Sequence, residues 1–105
     1  MLRIGICDDL ADARLVLRSA LERILDTRNV TAQYFEFSSG ETLLQWYARH
    51  AGELDLLFLD MELREMDGIE TARRLRAADE GLQLVFVTGY ADHVFDGYSG
   101  GALGY

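Results

Sequence analysis

The sequence predicts an α/β domain built on a flavodoxin-like, doubly wound parallel sheet with strand order 2-1-3-4-5. Three observations lead there. Short apolar runs alternate with segments of helical periodicity along almost the whole chain, which is the pattern of repeated β-α units. Two of those runs, Leu2 to Cys7 and Leu54 to Leu59, are apolar nearly throughout, as in strands buried on both faces of a parallel sheet. The chain has 105 residues, whereas a closed β/α barrel needs about 250, so the sheet stays open.

The elements follow in order. Leu2 to Cys7 is strand one. Ala11 to Asp26 is a helix, because Ala13, Val16, Leu17, Ala20, Leu21, Ile24 and Leu25 recur at helical spacing. Thr31 to Phe37, with Tyr34 and other β-formers, is strand two. Ser38-Ser39-Gly40-Glu41 starts the second helix with a serine cap and an acidic first turn; Leu43, Leu44, Trp46 and Tyr47 give it an apolar face. Leu54 to Leu59 is strand three. Gly68 to Ala78 is the third helix, with Ile69, Ala72 and Leu75 expected to face inward. Leu82 to Thr88 is strand four, Ala91 to Ser99 a short helix, and Leu103 to Tyr105 the start of strand five. Crossovers between parallel strands are right-handed. No linker, repeat or low-complexity stretch divides the chain, so 1–105 reads as one domain. The alternation is still running at Tyr105, and a strand of about five residues and a helix of about eleven would complete it; the domain is expected to be C-terminally incomplete.

Bulk properties exclude several classes. The formal charge of -8 argues against binding nucleic acid through this domain. No apolar run approaches the roughly 18 residues of a membrane span, and no signal-peptide pattern opens the chain. The one cysteine, Cys7, has no partner for an internal disulfide, and a reducing cytoplasm is the expected setting. There is no proline and no lysine: all ten basic residues are arginine.

The chemistry is expected at three aspartates. Asp8 and Asp9 follow strand one and Asp60 follows strand three, and in open parallel sheets ligands bind outside the carboxyl ends of the strands. If the two strands are neighbours, the three carboxylates converge, and each is disfavoured by like charge and lost hydration. Mg²⁺, which takes hard oxygen ligands, relieves that strain. One carboxylate then remains for phosphoryl chemistry: Asp60 can attack phosphorus and form an acyl phosphate. Thr88, at the end of strand four, offers a hydroxyl to a phosphoryl oxygen. Plainer readings stand beside these. Asp8 or Asp9 could cap the following helix, Thr88 could be a β-former only, and Tyr105 could be a packed aromatic.

Four motifs in order make the chain resemble the receiver domain of bacterial two-component response regulators. They are Cys7-Asp8-Asp9; Phe58-Leu59-Asp60-Met61-Glu62 with Met66-Asp67-Gly68; Val85-Phe86-Val87-Thr88-Gly89; and Gly101-Ala102-Leu103-Gly104-Tyr105. The stretch from Tyr90 to Tyr105 looks most like receivers that precede LytTR-type DNA-binding domains, which implies an output in transcription regulation. The resemblance implies that Asp60 is the phosphoacceptor, that Asp9 ligates Mg²⁺ directly and Asp8 largely through water, and that the Met61 carbonyl is a further ligand. It implies that Thr88 follows the phosphoryl group, that Tyr105 is an aromatic switch, and that a sensor histidine kinase is the phosphoryl donor.

The chain departs from the family's pattern in places. A lysine that pairs with the phosphoryl group would fall a few residues after Tyr105. Arg64 stands where the family usually has proline, and Glu62 and Tyr90 occupy variable positions that tune the lifetime of the phosphate. Two other functions compete: a receiver-like interaction module that works without phosphate, and a haloacid-dehalogenase-type phosphatase with an aspartyl nucleophile. The second wants an acid two residues after its nucleophile, which Glu62 imitates poorly, and also a lysine and a cap domain. Because the first helix and a last helix should share one face of the sheet, apolar surface on that face is expected to be uncovered and to drive homodimerisation, by exchange of the C-terminal segment among other routes.

Overall fold

The computed structural model describes residues 1–87. Its elements are β1 (Leu2–Cys7), α1 (Ala11–Thr27), β2 (Ala32–Phe37), α2 (Gly40–Arg49), β3 (Leu56–Asp60), α3 (Gly68–Ala78) and β4 (Leu84–Val87). The strands form one parallel sheet in the order β2-β1-β3-β4, as expected for the first four strands of a doubly wound fold. Thr88, the expected helix from Ala91 to Ser99 and the expected strand from Leu103 lie outside the described residues.

Two strands are shorter than their apolar runs, and hydrogen bonds explain both. β3 begins at Leu56 rather than Leu54: the Asp55 carboxylate accepts from the Arg3 backbone N–H at 2.7 Å, a side-chain oxygen standing in for a ladder carbonyl. β4 begins at Leu84 rather than Leu82, since the Leu82 N–H turns back to the Asp79 carbonyl and the Leu82 carbonyl accepts from the Arg76 guanidinium. Leu54 and Leu82 are nevertheless buried, so the apolar runs reported core membership correctly and strand membership incompletely.

The core lies between the sheet and the helices α2 and α3. Leu43, Leu57, Leu59 and Leu75 are fully enclosed there, and Trp46 packs against Phe35 and Phe37 at its edge. Both helices are capped from their own sequence. The Ser39 hydroxyl accepts from Thr42 N–H at 3.0 Å, and the Asp67 carboxylate accepts from Glu70 N–H at 2.8 Å. Ile69, expected to face inward, is 47% exposed. The inward stripe of α3 is instead Gly68, Thr71, Ala72 and Leu75, at the spacing of one helix face. Thr71 can occupy it because its hydroxyl donates to the Asp67 carbonyl at 2.8 Å.

The opposite face is thinly covered among the described residues. No residue of α1 is buried; Leu15, Val16 and Ile24 are exposed. A groove of about 450 Å³ runs between α1 and the sheet, lined by Ile6, Phe58 and Val87 on one side and Val16, Leu17 and Ala20 on the other. Cys7, at the end of β1, is buried. Burial above all, then the charges of Asp8 and Asp60, push its thiol up to about 12, which makes it an unreactive core residue.

Gly68 fixes how closely α3 approaches β3. A Cβ there would meet the Asp60 carbonyl oxygen, the Met61 Cα and the Asp60 carbonyl carbon. All three are backbone atoms that cannot rotate aside. Alanine is favoured over glycine in helices by about 1 kcal/mol, but overpacking costs about 1–3 kcal/mol or more. Gly68→Ala is therefore expected to destabilise the domain by about 2 kcal/mol in urea unfolding. A variant as stable as the parent would show that the loop before α3 moves freely.

Candidate functional site

The site is built where two neighbouring strands end. Cys7 of β1 pairs in register with Leu59 of β3, so the next residues, Asp8 and Asp60, leave the sheet side by side. Asp9 follows at once. One carboxylate oxygen from each of Asp8, Asp9 and Asp60 can be chosen so that all lie within 4.8 Å of one another. The three candidates are thus brought together. The crevice between β1 and β3 is also where the chain reverses direction along the sheet, with α1 on one face and α2 and α3 on the other, which is where open α/β sheets place ligands.

Backbone donors hold two of the three. The Asp8 carboxylate accepts from Leu10 N–H at 2.9 Å, and Asp60 accepts from Glu62 N–H at 3.1 Å. The capping alternative for Asp8 and Asp9 does not apply: the N-cap of α1 is Leu10, with no side-chain cap bond. Arg14 donates to the Asp8 backbone carbonyl at 2.7 Å and pairs with Glu36 at 3.1 Å. The Asp9 carboxylate instead meets Arg64, whose Nε lies 3.3 Å away. The carboxylates line a cavity of about 270 Å³ together with Leu10, Glu62 and Arg64.

The electrostatics report strain. Asp60 is 7% exposed, and burial, then the charges of Asp8, Asp9 and Glu62, against the Glu62 N–H, push its carboxyl up to about 6. Asp8 is also raised, by burial first and then by Asp9. Hard oxygen donors crowded at one point, two of them disfavoured as anions, suit a small divalent cation. The Met61 carbonyl accepts from Gly68 N–H at 3.2 Å and the Met61 N–H donates to the Val87 carbonyl at 3.1 Å. A carbonyl has a second lone pair for another partner. Thr88, directly after Val87, and Tyr90 and Tyr105 lie outside the described residues.

A family model for the response regulator receiver domain matches residues 4–105. The chain belongs to this family. Among relatives of this receiver domain, the response regulator receiver protein CpdR of Brucella abortus is 38% identical over 92 residues, covering 87% of this chain and 69% of CpdR. The cyclic di-GMP phosphodiesterase response regulator RpfG of Xanthomonas campestris is 41% identical over 75 residues, 71% of this chain but 18% of RpfG. The transcriptional regulatory protein NatR of Bacillus subtilis is 29% identical over 99 residues, 91% of this chain and 40% of NatR. The chain therefore spans less than half of RpfG and NatR. Among solved structures, the response regulator TrrA of Thermotoga maritima in complex with Mg(2+)-BeF is 25% identical with a TM-score of 0.73, over 97% of this chain and 82% of that one. A receiver domain is a signalling domain. Among the described residues, no helix is long and apolar enough to cross a membrane.

Sequence reasoning noted Arg64 only as a departure and missed its pairing with Asp9. The two residues sit on different loops, and no local spacing signals such a contact. It also missed Asp67 as the cap of α3, although an aspartate directly before the helix was a readable signal.

The raised Asp60 carboxyl has a signed consequence. Its folded-state value lies above its ordinary one of 3.8, so the folded chain holds that proton more tightly than the unfolded chain. Stability from this group is then lost as pH rises from about 4 through 6, by on the order of 2–3 kcal/mol. Asp8 acts with the same sign. Glu36, lowered chiefly by the Arg18 side chain, and Asp55, lowered chiefly by the Arg3 N–H, act with the opposite sign. The contrast is therefore best read as a difference between chains. In metal-free buffer, Asp60→Asn should be the more stable chain at pH 7 by about 2 kcal/mol, and the gap should close near pH 4. A gap that does not change with pH would remove Asp60 as the strained group.

Proposed function

We propose that this receiver domain is the phosphoacceptor of a two-component relay. Asp60 accepts the phosphoryl group, Asp9 and Asp60 hold Mg²⁺ directly, Asp8 holds it largely through water, and the Met61 carbonyl adds a ligand. The observation that carries the reading is the convergence of Asp8, Asp9 and Asp60 at the ends of β1 and β3. The complex of TrrA with Mg(2+)-BeF supports it by likeness.

The chemistry follows from the residues. Asp60 is already oriented by the Glu62 N–H, so a free carboxylate oxygen can face the entering phosphorus. That oxygen forms the new O–P bond as the N–P bond of a phosphohistidine breaks, and the departing imidazole nitrogen keeps the electron pair. When bound, Mg²⁺ supplies positive charge against the oxygens of the transferring group. Thr88 is assigned to the phosphoryl oxygen and Tyr105 to the switch that answers it. The donor is a sensor histidine kinase, in keeping with the match to the sensor kinase CckA of Brucella abortus, 34% identical over 73 residues that make up 8% of that protein. The setting is the cytoplasm, and the domain itself binds no nucleic acid. The domain's extent is proposed to include all of 1–105.

Labelling with radioactive acetyl phosphate tests the assignment. The parent chain should label in Mg²⁺ and lose the label in EDTA, and Asp60→Asn should fall to background. An Asn variant that labels as well as the parent would show that another group accepts the phosphoryl.

Homodimerisation belongs to the same proposal. Its support is the groove between α1 and the sheet and the exposure of Leu15, Val16 and Ile24 beside it. Sedimentation at micromolar concentration should show a dimer that Val16→Asp weakens. A single monomeric species for the parent chain would show that the groove is covered within one copy.

A further inference from the structure

Asp9 and Arg64 face each other across the mouth of the site. Asp9 stands on the β1–α1 connection and Arg64 on the loop between β3 and α3, and their charged groups meet at 3.3 Å. Two cavities adjoin at this pair. One, of about 270 Å³, holds Asp8 and Asp60; the other, of about 330 Å³, is lined by Ser38, Ser39 and Glu41, and both are lined by Asp9 and Arg64. The ion pair is shared by the linings of both. The Arg64 side chain is 81% exposed, while its neighbour Leu63 is buried and anchors the loop in the core. The guanidinium is therefore delivered to Asp9 by an anchored backbone and is otherwise in water. Arg14, the other arginine beside the cluster, is committed to the Asp8 carbonyl and to Glu36. Among the described residues, Arg64 is the cation paired with a carboxylate of the cluster.

We propose that Arg64 is a resident counter-cation of the acidic cluster, which Mg²⁺ must displace from Asp9, so that Arg64 sets the affinity of the site for the ion. The inference rests on the metal reading above. An ion pair this exposed is weak, and a hard divalent ion competes for the same carboxylate with twice the charge. A weak partner is what an exchange needs, since a buried pair would resist opening. Removing the guanidinium removes both a competitor and a repelling charge, so affinity for Mg²⁺ rises. Salt screens the guanidinium, so the difference between chains shrinks as ionic strength increases.

Calorimetric titration of Mg²⁺ into the parent chain, Arg64→Ala and Arg64→Lys tests this, with circular dichroism to show that all three are folded. Arg64→Ala is expected to bind about threefold tighter at low salt, Arg64→Lys close to the parent, and the advantage of the alanine variant to fade in molar salt. Equal or weaker binding by Arg64→Ala overturns the exchange while leaving the metal site in place. A lysine variant that binds like the alanine variant shows that charge is not what matters and overturns it too. Absence of binding by every chain overturns both the exchange and the metal reading.

Discussion

Crowding of negative charge at the ends of β1 and β3 is the constraint around which this domain is arranged. Two adjacent parallel strands deliver Asp8 and Asp60 to one point, and Asp9 follows within 4.8 Å. Nothing in an apolar sheet favours this. The fold tolerates it by supplying local counterweights: the Leu10 N–H on Asp8, the Glu62 N–H on Asp60 and the Arg64 guanidinium on Asp9. None of these is a buried opposite charge. The compensation is therefore partial, and the Asp60 carboxyl stays raised. A perturbed group in a crevice, with named charge partners, is a candidate functional group.

The two faces of the sheet divide the labour. α2 and α3 are capped by Ser39 and Asp67, bury Leu43 and Leu75, and give the loop after β3 a firm base at Leu63. Gly68 lets α3 press its first turn against the Asp60 backbone, so the phosphoacceptor candidate sits on a rigid support rather than on a free loop. Rigid support is what holds reacting groups in register. The α1 face has no such density among the described residues, which leaves it as the side where association can act.

Much of this was legible in the sequence. The strand order follows from β-α alternation and chain length, and the convergence of Asp8, Asp9 and Asp60 follows from placing acidic residues at strand ends. The span of α3 was read to the residue, because Gly68 and Ala78 bracket a clear periodic segment. Three features were not legible, each for a physical reason. Ile69 is apolar yet exposed, since the packed stripe is set by Thr71 and its satisfied hydroxyl, and an apolar count does not register a satisfied hydroxyl. The starts of β3 and β4 depend on side chains that take up strand backbone groups, Asp55 from across the sheet and Arg76 from the preceding helix. The contact of Arg64 with Asp9 joins loops that only the folded topology brings together.

The strain at the site also couples occupancy to stability. A ligand that binds only the folded chain stabilises it by RT ln(1 + [L]/Kd), about 3 kcal/mol at a hundredfold excess over Kd. The penalty carried by the ionised Asp60 is of the same order, so a cation at that excess would offset it almost fully. With its carboxyl raised to about 6, Asp60 is mostly ionised at neutral pH even without a cation, and a bound cation would keep it ionised at lower pH as well. Burial first, and then the charges of Asp8 and Asp9, raise the Asp60 carboxyl, and the same two neighbours bring the oxygens that a cation would use to relieve it.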